Sequence, residues 1–115
     1  MSISRMESSQ RMSQAVVHGN TVYLAGQVAK GETVTAQTQG ILAQIDELLA
    51  KAGTDRSRLL SATIWLCSMD DFAEMNAIWD TWIDNNNPPA RACVESPRLA
   101  TPDFIVEIMV TAATD

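Results

Sequence analysis

Residues 59–67 read LLSATIWLC, a mostly apolar run that contains β-branched and aromatic residues and no charge. A strand that is covered on both faces has this composition, because neither of its faces meets water. We therefore predict an inner β-strand at Leu59–Cys67 and interpret the rest of the chain outward from it.

An amphipathic helix is predicted directly after this strand. Ser68 with Asp71 three places on resembles a capping pair at its start, and the helix should end before Asn85, ahead of Pro88 and Pro89. The apolar residues that recur at helical spacing are Phe72, Met75, Ile78, Trp79, Trp82 and Ile83.

A second amphipathic helix is predicted before the strand, and Gly53 is suited to the position just after its end. Its core-facing residues recur at three- and four-residue spacing. They are Ile41, Leu42, Ile45, Leu48, Leu49 and Ala52.

The N-terminal part predicts a β-hairpin. Gln14–His18 and Thr21–Gln27 are β-prone runs, and the Gly19-Asn20 pair between them suits a two-residue turn that needs positive φ angles. Ile3–Glu7 is a candidate edge strand ahead of the hairpin.

The C-terminal part predicts a second hairpin, formed by Ala90–Glu95 and Phe104–Ala112 with a loop at 96–103. The whole order is (β)ββαβαββ, an α+β single domain over residues 1–115 with a mixed sheet. Right-handed crossovers should leave both helices on one face of that sheet. The opposite face must then be hidden by other copies of the chain, so we expect a homo-oligomer.

The composition limits the possible partners and cofactors. The chain has 115 residues, which fits one domain, and a net charge of −6, which disfavours binding to nucleic acid or anionic membranes. Cys67 and Cys93 form no metal-ligand pattern with His18, so neither a metal nor a disulfide is predicted. A polar N-terminus, and no apolar stretch of roughly 20 residues, predict a cytoplasmic protein without a membrane partner.

Arg91 and Glu107 are the candidate site residues. Arg91 is a fixed cation at the start of a predicted strand, and Glu107 is a lone carboxylate between Ile105 and Met109 on the next one. We interpret them as a site for a small anionic substrate on adjoining strands, provided that the loop length turns both side chains to the same face.

The residues in this order resemble the Rid family of reactive-intermediate deaminases, also called YjgF-like, from roughly Arg11 to Ala112. The resemblance depends on the joint order and spacing of several short elements. They are Ser13–Val17, the Gly26-Gln27 pair, Asp71, Phe72 and Asn76 of the helix that follows the strand Leu59–Cys67, the run Pro89-Ala90-Arg91, and Glu107.

The resemblance implies a chorismate-mutase-like fold that assembles as a homotrimer with sites between subunits. It implies hydrolysis of 2-imino acids, or their enamine tautomers, to 2-keto acids and ammonia, as in 2-iminobutanoate/2-iminopropanoate deaminases of metabolite damage control. Arg91 would clamp the substrate carboxylate, Cys93 would supply main-chain contacts near the imine, and Glu107 would position or activate water. No cofactor is implied.

Three departures from the family pattern concern the pocket. Many members have Gly-Pro-Tyr before the Ser-Gln element, where this chain has Gln10, Arg11 and Met12. Met12 provides apolar contact but no phenolic hydroxyl. Ala25 stands where a small polar residue is common, and the interval between Arg91 and Glu107 is longer by about one residue, which a bulge or longer turn would absorb. These departures point to a subfamily close to RidA but outside it, with a more apolar pocket.

Other interpretations of the same residues remain open. The same arginine clamp would serve a non-catalytic trimer that binds keto acids, and ribonuclease or translational inhibition has been attached to relatives. Arg91 would otherwise be a surface ion-pair partner, Glu107 an edge-strand charge and Cys93 a small core residue. Arg98 is expected to face solvent rather than to provide a second anion contact.

Overall fold

The computed structural model describes residues 1–115 as one six-stranded mixed sheet with two α-helices. This architecture confirms the predicted α+β class and the predicted order of elements. The elements are β1 (Ile3–Ser8), β2 (Ser13–His18), β3 (Thr21–Leu24), α1 (Val34–Lys51), β4 (Leu59–Leu66), α2 (Phe72–Trp82), β5 (Ala90–Glu95) and β6 (Val106–Ala113).

The N-terminal hairpin is confirmed. β2 and β3 pair antiparallel with Val17 opposite Val22, and Gly19 in the turn has a φ of 61°, a conformation that glycine adopts without steric cost. β1 pairs with β2 as the outer strand. The second strand is shorter than predicted, because β3 ends at Leu24 and Gln27 keeps only an isolated bridge to Ile108.

The predicted C-terminal hairpin is wrong. The strand order is β1-β2-β3-β6-β4-β5, so β6 lies between β3 and β4, whereas β5 is an edge strand that pairs in parallel with β4. The burial of side chains gives the physical reason. In β6 every second residue is buried and apolar, as suits a strand with a neighbour on each side. In contrast, β5 carries two charged side chains and is mostly exposed, as edge strands commonly are.

Helix α1 begins earlier than the apolar stripe indicates. Thr33 caps it by accepting a hydrogen bond from Ala36 N at 3.0 Å. Its first turns contain Gln37 and Thr38, which are polar yet buried, so a search for apolar residues does not find them. Ser68 caps a short 3₁₀ turn at Met69–Asp71, and the predicted capping pair is therefore not formed at α2 itself.

The core lies between the helices and one face of the sheet. Ala62, Ile64 and Leu66 of β4 point into it together with alternate residues of β6, and α1 contacts α2 above them. The other face of β4, at Thr63 and Trp65, is only partly covered, so the prediction of a strand buried on both faces is wrong within a single chain. We call this uncovered side the open face. No helix in the chain combines the length and apolarity that crossing a bilayer needs.

Candidate functional site

Arg91 lies on the helix side of the edge strand and is held by α2. Its Nη1 donates a hydrogen bond to Asn76 Oδ1 at 2.8 Å. Its guanidinium carbon lies 5.3 Å from the ring centroid of Trp79 and 5.9 Å from that of Phe72, which are distances for cation–π contact. Arg91 forms no salt bridge with any carboxylate of the chain, so a cation with a fixed orientation is open to an anionic ligand.

Cys93 follows two residues later on the same face of β5, opposite Ile64, and packs against the core. Burial raises the pKa of its thiol, and the nearby charge of Arg91 offsets this shift only in part. A thiol with a raised pKa is a poor nucleophile at neutral pH, because the thiolate is the reactive form. What Cys93 offers a ligand is therefore its position beside Arg91, and not thiolate chemistry.

Glu107 lies on the open face, opposite Trp65 of β4. Burial raises the pKa of its carboxyl above the ordinary value of 4.5, and no cation or hydrogen bond opposes the shift. The backbone of Gly26 lies directly against this carboxylate, since an ideal Cβ on Gly26 would be 2.1 Å from Glu107 Oε2. Gly26 thus leaves the space that the carboxylate occupies.

The structure does not bring Arg91 and Glu107 together within one chain. The expectation of adjoining strands is wrong, because β4 lies between β5 and β6. Arg91 is opposite Ala62, whereas Glu107 is opposite Trp65, three residues further along β4. Since successive side chains of a strand point to opposite faces, Arg91 and Glu107 lie on opposite faces of the sheet. We call Arg91, Cys93 and Asn76 the arginine half-site, and Glu107 with Gly26 the glutamate half-site.

The other two predicted site residues lie near the glutamate half-site in the fold. Ala25 directly precedes Gly26, and its N–H donates to Gln14 O at 2.8 Å. Met12 lies in the turn between β1 and β2, two residues before Gln14, and is 43% exposed. Both therefore belong to the same end of the sheet as Gly26, and neither makes a side-chain hydrogen bond.

Two residues of these half-sites escaped the sequence-based selection of site residues. Asn76 was part of the family resemblance, but its hydrogen bond to Arg91 joins residues 15 positions apart, on a helix and a strand. Gly26 likewise leaves space for a residue that is distant in sequence, Glu107 of β6. A pairing of this kind is visible only in the tertiary structure. The chain contains no cluster of three or more His, Cys, Asp or Glu residues that could hold a metal ion.

A model of the family described as Endoribonuclease L-PSP matches residues 2–114 of the chain. The chain is 46% identical over 113 residues to a RutC family protein of Haemophilus ducreyi, with 96% of both proteins covered. It is 41% identical over 115 residues to the RutC family protein YoaB of Escherichia coli, covering 98% of this chain and 99% of that protein.

Among solved structures, a member of the YjgF protein family from Neisseria meningitidis is similar over the whole chain. The TM-score is 0.97 at 45% identity, and the alignment covers 100% of this chain and 97% of that one. Fold, element order and sequence therefore agree, and the chain belongs to the YjgF-like, or Rid, family.

Proposed function

We propose that this protein is a cofactor-independent deaminase that hydrolyses 2-imino acids, or their enamine tautomers, to 2-keto acids and ammonia. The observation that carries the proposal is the set of contacts that the Arg91 guanidinium makes. Its guanidinium is fixed by Asn76 and two aromatic rings, yet has no carboxylate partner of its own. Arginine presents a planar fork that matches a carboxylate through two parallel hydrogen bonds, so the arginine half-site suits a small organic acid.

The two half-sites support a site that is completed between protomers. Arg91 on the helix side and Glu107 on the open face cannot share one small substrate in a single chain. A contact between the β5 edge of one copy and the open face of the next would bring them together. Such a contact is heterologous, and a heterologous contact whose rotation closes forms a ring, of which a homotrimer is the smallest.

The open face has the surface that this assembly needs. Tyr23, Met109 and Val94 are large apolar residues exposed on strands β3, β6 and β5. By strand parity Tyr23 and Met109 share the face of Glu107, and Val94 lies opposite Trp65 on that face. Burial of this surface by a second copy would stabilise the assembly, since apolar area removed from water contributes about 25 cal/mol per Å².

In the proposed reaction, the imino acid carboxylate binds Arg91, which orients the electrophilic C2 atom. Water adds to C2 of the N-protonated imine as one of its protons passes to the Glu107 carboxylate, which gives a carbinolamine. The protonated carboxyl then returns that proton to the nitrogen. The C–N bond breaks as the carbinolamine hydroxyl gives its proton to Glu107, and the keto acid and ammonia form. Ammonia takes this proton and leaves as ammonium, which restores the carboxylate. A carboxyl with a raised pKa suits both steps, because it takes and returns a proton close to neutral pH.

The test generates 2-iminopropanoate or 2-iminobutanoate in situ with an amino-acid oxidase and follows release of the keto acid. We expect release faster than the spontaneous hydrolysis measured without the protein. No acceleration with either substrate would overturn the proposal. If 2-ketobutyrate nevertheless bound in an Arg91-dependent manner, the non-catalytic metabolite-binding function would take its place.

A ribonuclease activity is the second candidate, because the matching family model is described as Endoribonuclease L-PSP. The net charge of −6 opposes it, since binding to phosphate backbones depends on basic residues. RNA cleavage by a nuclease-free preparation, lost in Arg91→Ala, would establish this activity in place of the deaminase if imine hydrolysis were absent.

A further inference from the structure

The stretch of chain that carries Glu107 is held through its backbone on both sides of that residue. Ile108, the next residue, exchanges two backbone hydrogen bonds with Gln27, at 2.8 and 3.1 Å. Ile105, two residues before Glu107, donates from its backbone N–H to Oε1 of Gln37 at 3.0 Å. A side chain of helix α1 therefore takes part in fixing the strand position from which Glu107 projects.

Gln37 holds a second segment of chain at the same time. Its Nε2 donates to Gly31 O at 3.0 Å and to Asp103 O at 2.8 Å. Asp103 lies four residues before Glu107 in the sequence. Gly31 lies five residues after Gly26. One amide thus joins the chain that leaves Gly26 to the chain that enters Glu107, and these two residues form the glutamate half-site.

The contacts of Gln37 require a neutral amide. They use both N–H donors and the acceptor oxygen of the side chain. Gln37 is only 1% exposed, and hydrogen bonds shielded from water in this way are electrostatically stronger than exposed ones. A glutamate would place a charged oxygen against two carbonyl oxygens, and an apolar side chain would remove the partner of three backbone groups.

We propose that Gln37 is a positioning residue for the reaction, because it holds the Glu107 carboxylate in place beside Gly26. This inference rests on the proposed deaminase function. Gln37 is buried and acts through the backbone of Ile105 and Gly31, and not by touching the substrate. Since rates depend steeply on the placement of reacting groups, loosening these contacts should impair catalysis more than substrate binding.

The test is Gln37→Met, which keeps a side chain of similar length and volume but removes all three bonds. We expect kcat of imine hydrolysis to fall about tenfold or more. KM should change less than about twofold, because Arg91 binds the substrate carboxylate and does not contact Gln37. In the Glu107→Gln background the same substitution should cause no further loss, since it acts through Glu107.

A second measurement does not depend on activity. The Glu107 carboxyl is titrated by carbon NMR of protein labelled at the glutamate carboxyl carbons, with Glu107→Gln identifying its signal. Burial raises the pKa of Glu107 above 4.5, and in Gln37→Met this pKa should move back toward 4.5 as the carboxyl gains contact with water. If Gln37→Met does not fold, Gln37→Asn, which keeps a shorter amide, is measured with the same expected directions.

Two controls separate positioning from a general loss of stability. Gln39→Met makes the same change at an exposed glutamine of α1 and should alter neither kcat nor the titration. Leu49→Ala creates a cavity in the core near the other end of α1, and should lower the urea midpoint while leaving kcat and the Glu107 titration as in wild type.

Unchanged kcat and an unchanged Glu107 titration in a folded Gln37 variant would overturn the proposal, as would equal losses in Leu49→Ala. If the wild-type protein hydrolyses no imine, the proposed function fails, and the NMR titration still decides the role of Gln37. Different titrations of Glu107 in wild type and Gln37→Met would then support the positioning, and identical ones would overturn it.

Discussion

The carboxylate of Glu107 occupies the space that a Cβ atom on Gly26 would need. An ideal Cβ on Gly26 would be 2.1 Å from Glu107 Oε2 and 3.0 Å from its carboxyl carbon. The φ angle of Gly26 is not positive, unlike those of Gly19 and Gly53. The absence of a side chain at position 26, and not an unusual backbone conformation, therefore leaves room for the carboxylate.

Gly26→Ala should displace the Glu107 carboxylate and lower kcat of imine hydrolysis, about tenfold or more, because a displaced base loses its geometry. The clashing atoms belong to the end of a flexible side chain, so the free energy of unfolding should change by less than about 1 kcal/mol. A double-mutant cycle with Glu107→Gln checks the mechanism. If Gly26→Ala lowers kcat by the same factor in both backgrounds, it does not act through Glu107.

Arg91→Lys should lower kcat/KM for imine hydrolysis about 100-fold, although the charge is kept. Lysine loses the planar fork that binds a carboxylate through two bonds and the stacking on Trp79. Steady-state kinetics with in-situ imine measure the effect, and Arg5→Lys on the exposed strand β1 is the matched control. Similar losses in the two variants would remove the special role assigned to Arg91.

Asn76 is predicted to position Arg91, and two substitutions distinguish this role from simple support of the helix. Asn76→Ala removes the 2.8 Å bond and should weaken binding of 2-ketobutyrate about tenfold. Asn76→Asp should weaken it further, because an aspartate gives Arg91 a carboxylate partner that competes with the ligand. Calorimetric titration gives both affinities, and tighter binding by Asn76→Asp than by Asn76→Ala contradicts the prediction.

Mixing two inactive variants should restore activity if each site is shared between protomers. Arg91→Ala supplies an intact Glu107, and Glu107→Gln supplies an intact Arg91. Random assembly of equal amounts into trimers, by unfolding and refolding together, should give about a quarter of the wild-type activity. Each variant refolded alone is the control. No recovery, with mixed trimers confirmed by native mass spectrometry, would show that the site does not form across the interface.

The pH dependence of catalysis should follow Glu107. A general base acts when ionised, so kcat/KM should rise with pH through the pKa of Glu107, which burial raises above 4.5. Glu107→Gln should remove this limb from whatever rate remains. The pH–rate profiles of both proteins measure it, and an unchanged acidic limb in Glu107→Gln assigns the titration to another group.

Ionisation of Glu107 should lower the free energy of unfolding as pH rises, although the same ionisation raises the rate of catalysis. Because the folded state binds the Glu107 proton more tightly than the unfolded state, its contribution to stability is present at low pH. It is lost as pH rises from the unfolded-state pKa through the raised folded-state value. Glu107→Gln cannot ionise, so urea unfolding should show it gaining stability relative to wild type as pH rises through this range.

Much of the local structure could be predicted from residue patterns. Three signals depend only on residues close by in the sequence, and the structure confirms the elements that they predict. They are the Gly19-Asn20 turn, the apolar stripe of α1 and the Pro88-Pro89 pair that follows α2. The buried polar start of α1 could not be predicted in this way. Gln37 is buried because it bonds Gly31, Asp103 and Ile105, and two of these partners are more than 60 residues away.

The sequence by itself determined which segments form strands and helices, the α+β class and the family, because periodicity, turn residues and motif order depend on short stretches of chain. Only the tertiary structure decided that β6 enters the sheet between β3 and β4. That choice depends on which strands together bury the most apolar surface, a property of the whole sheet. It also sets the pairing register, and the register places Arg91 and Glu107 on opposite faces.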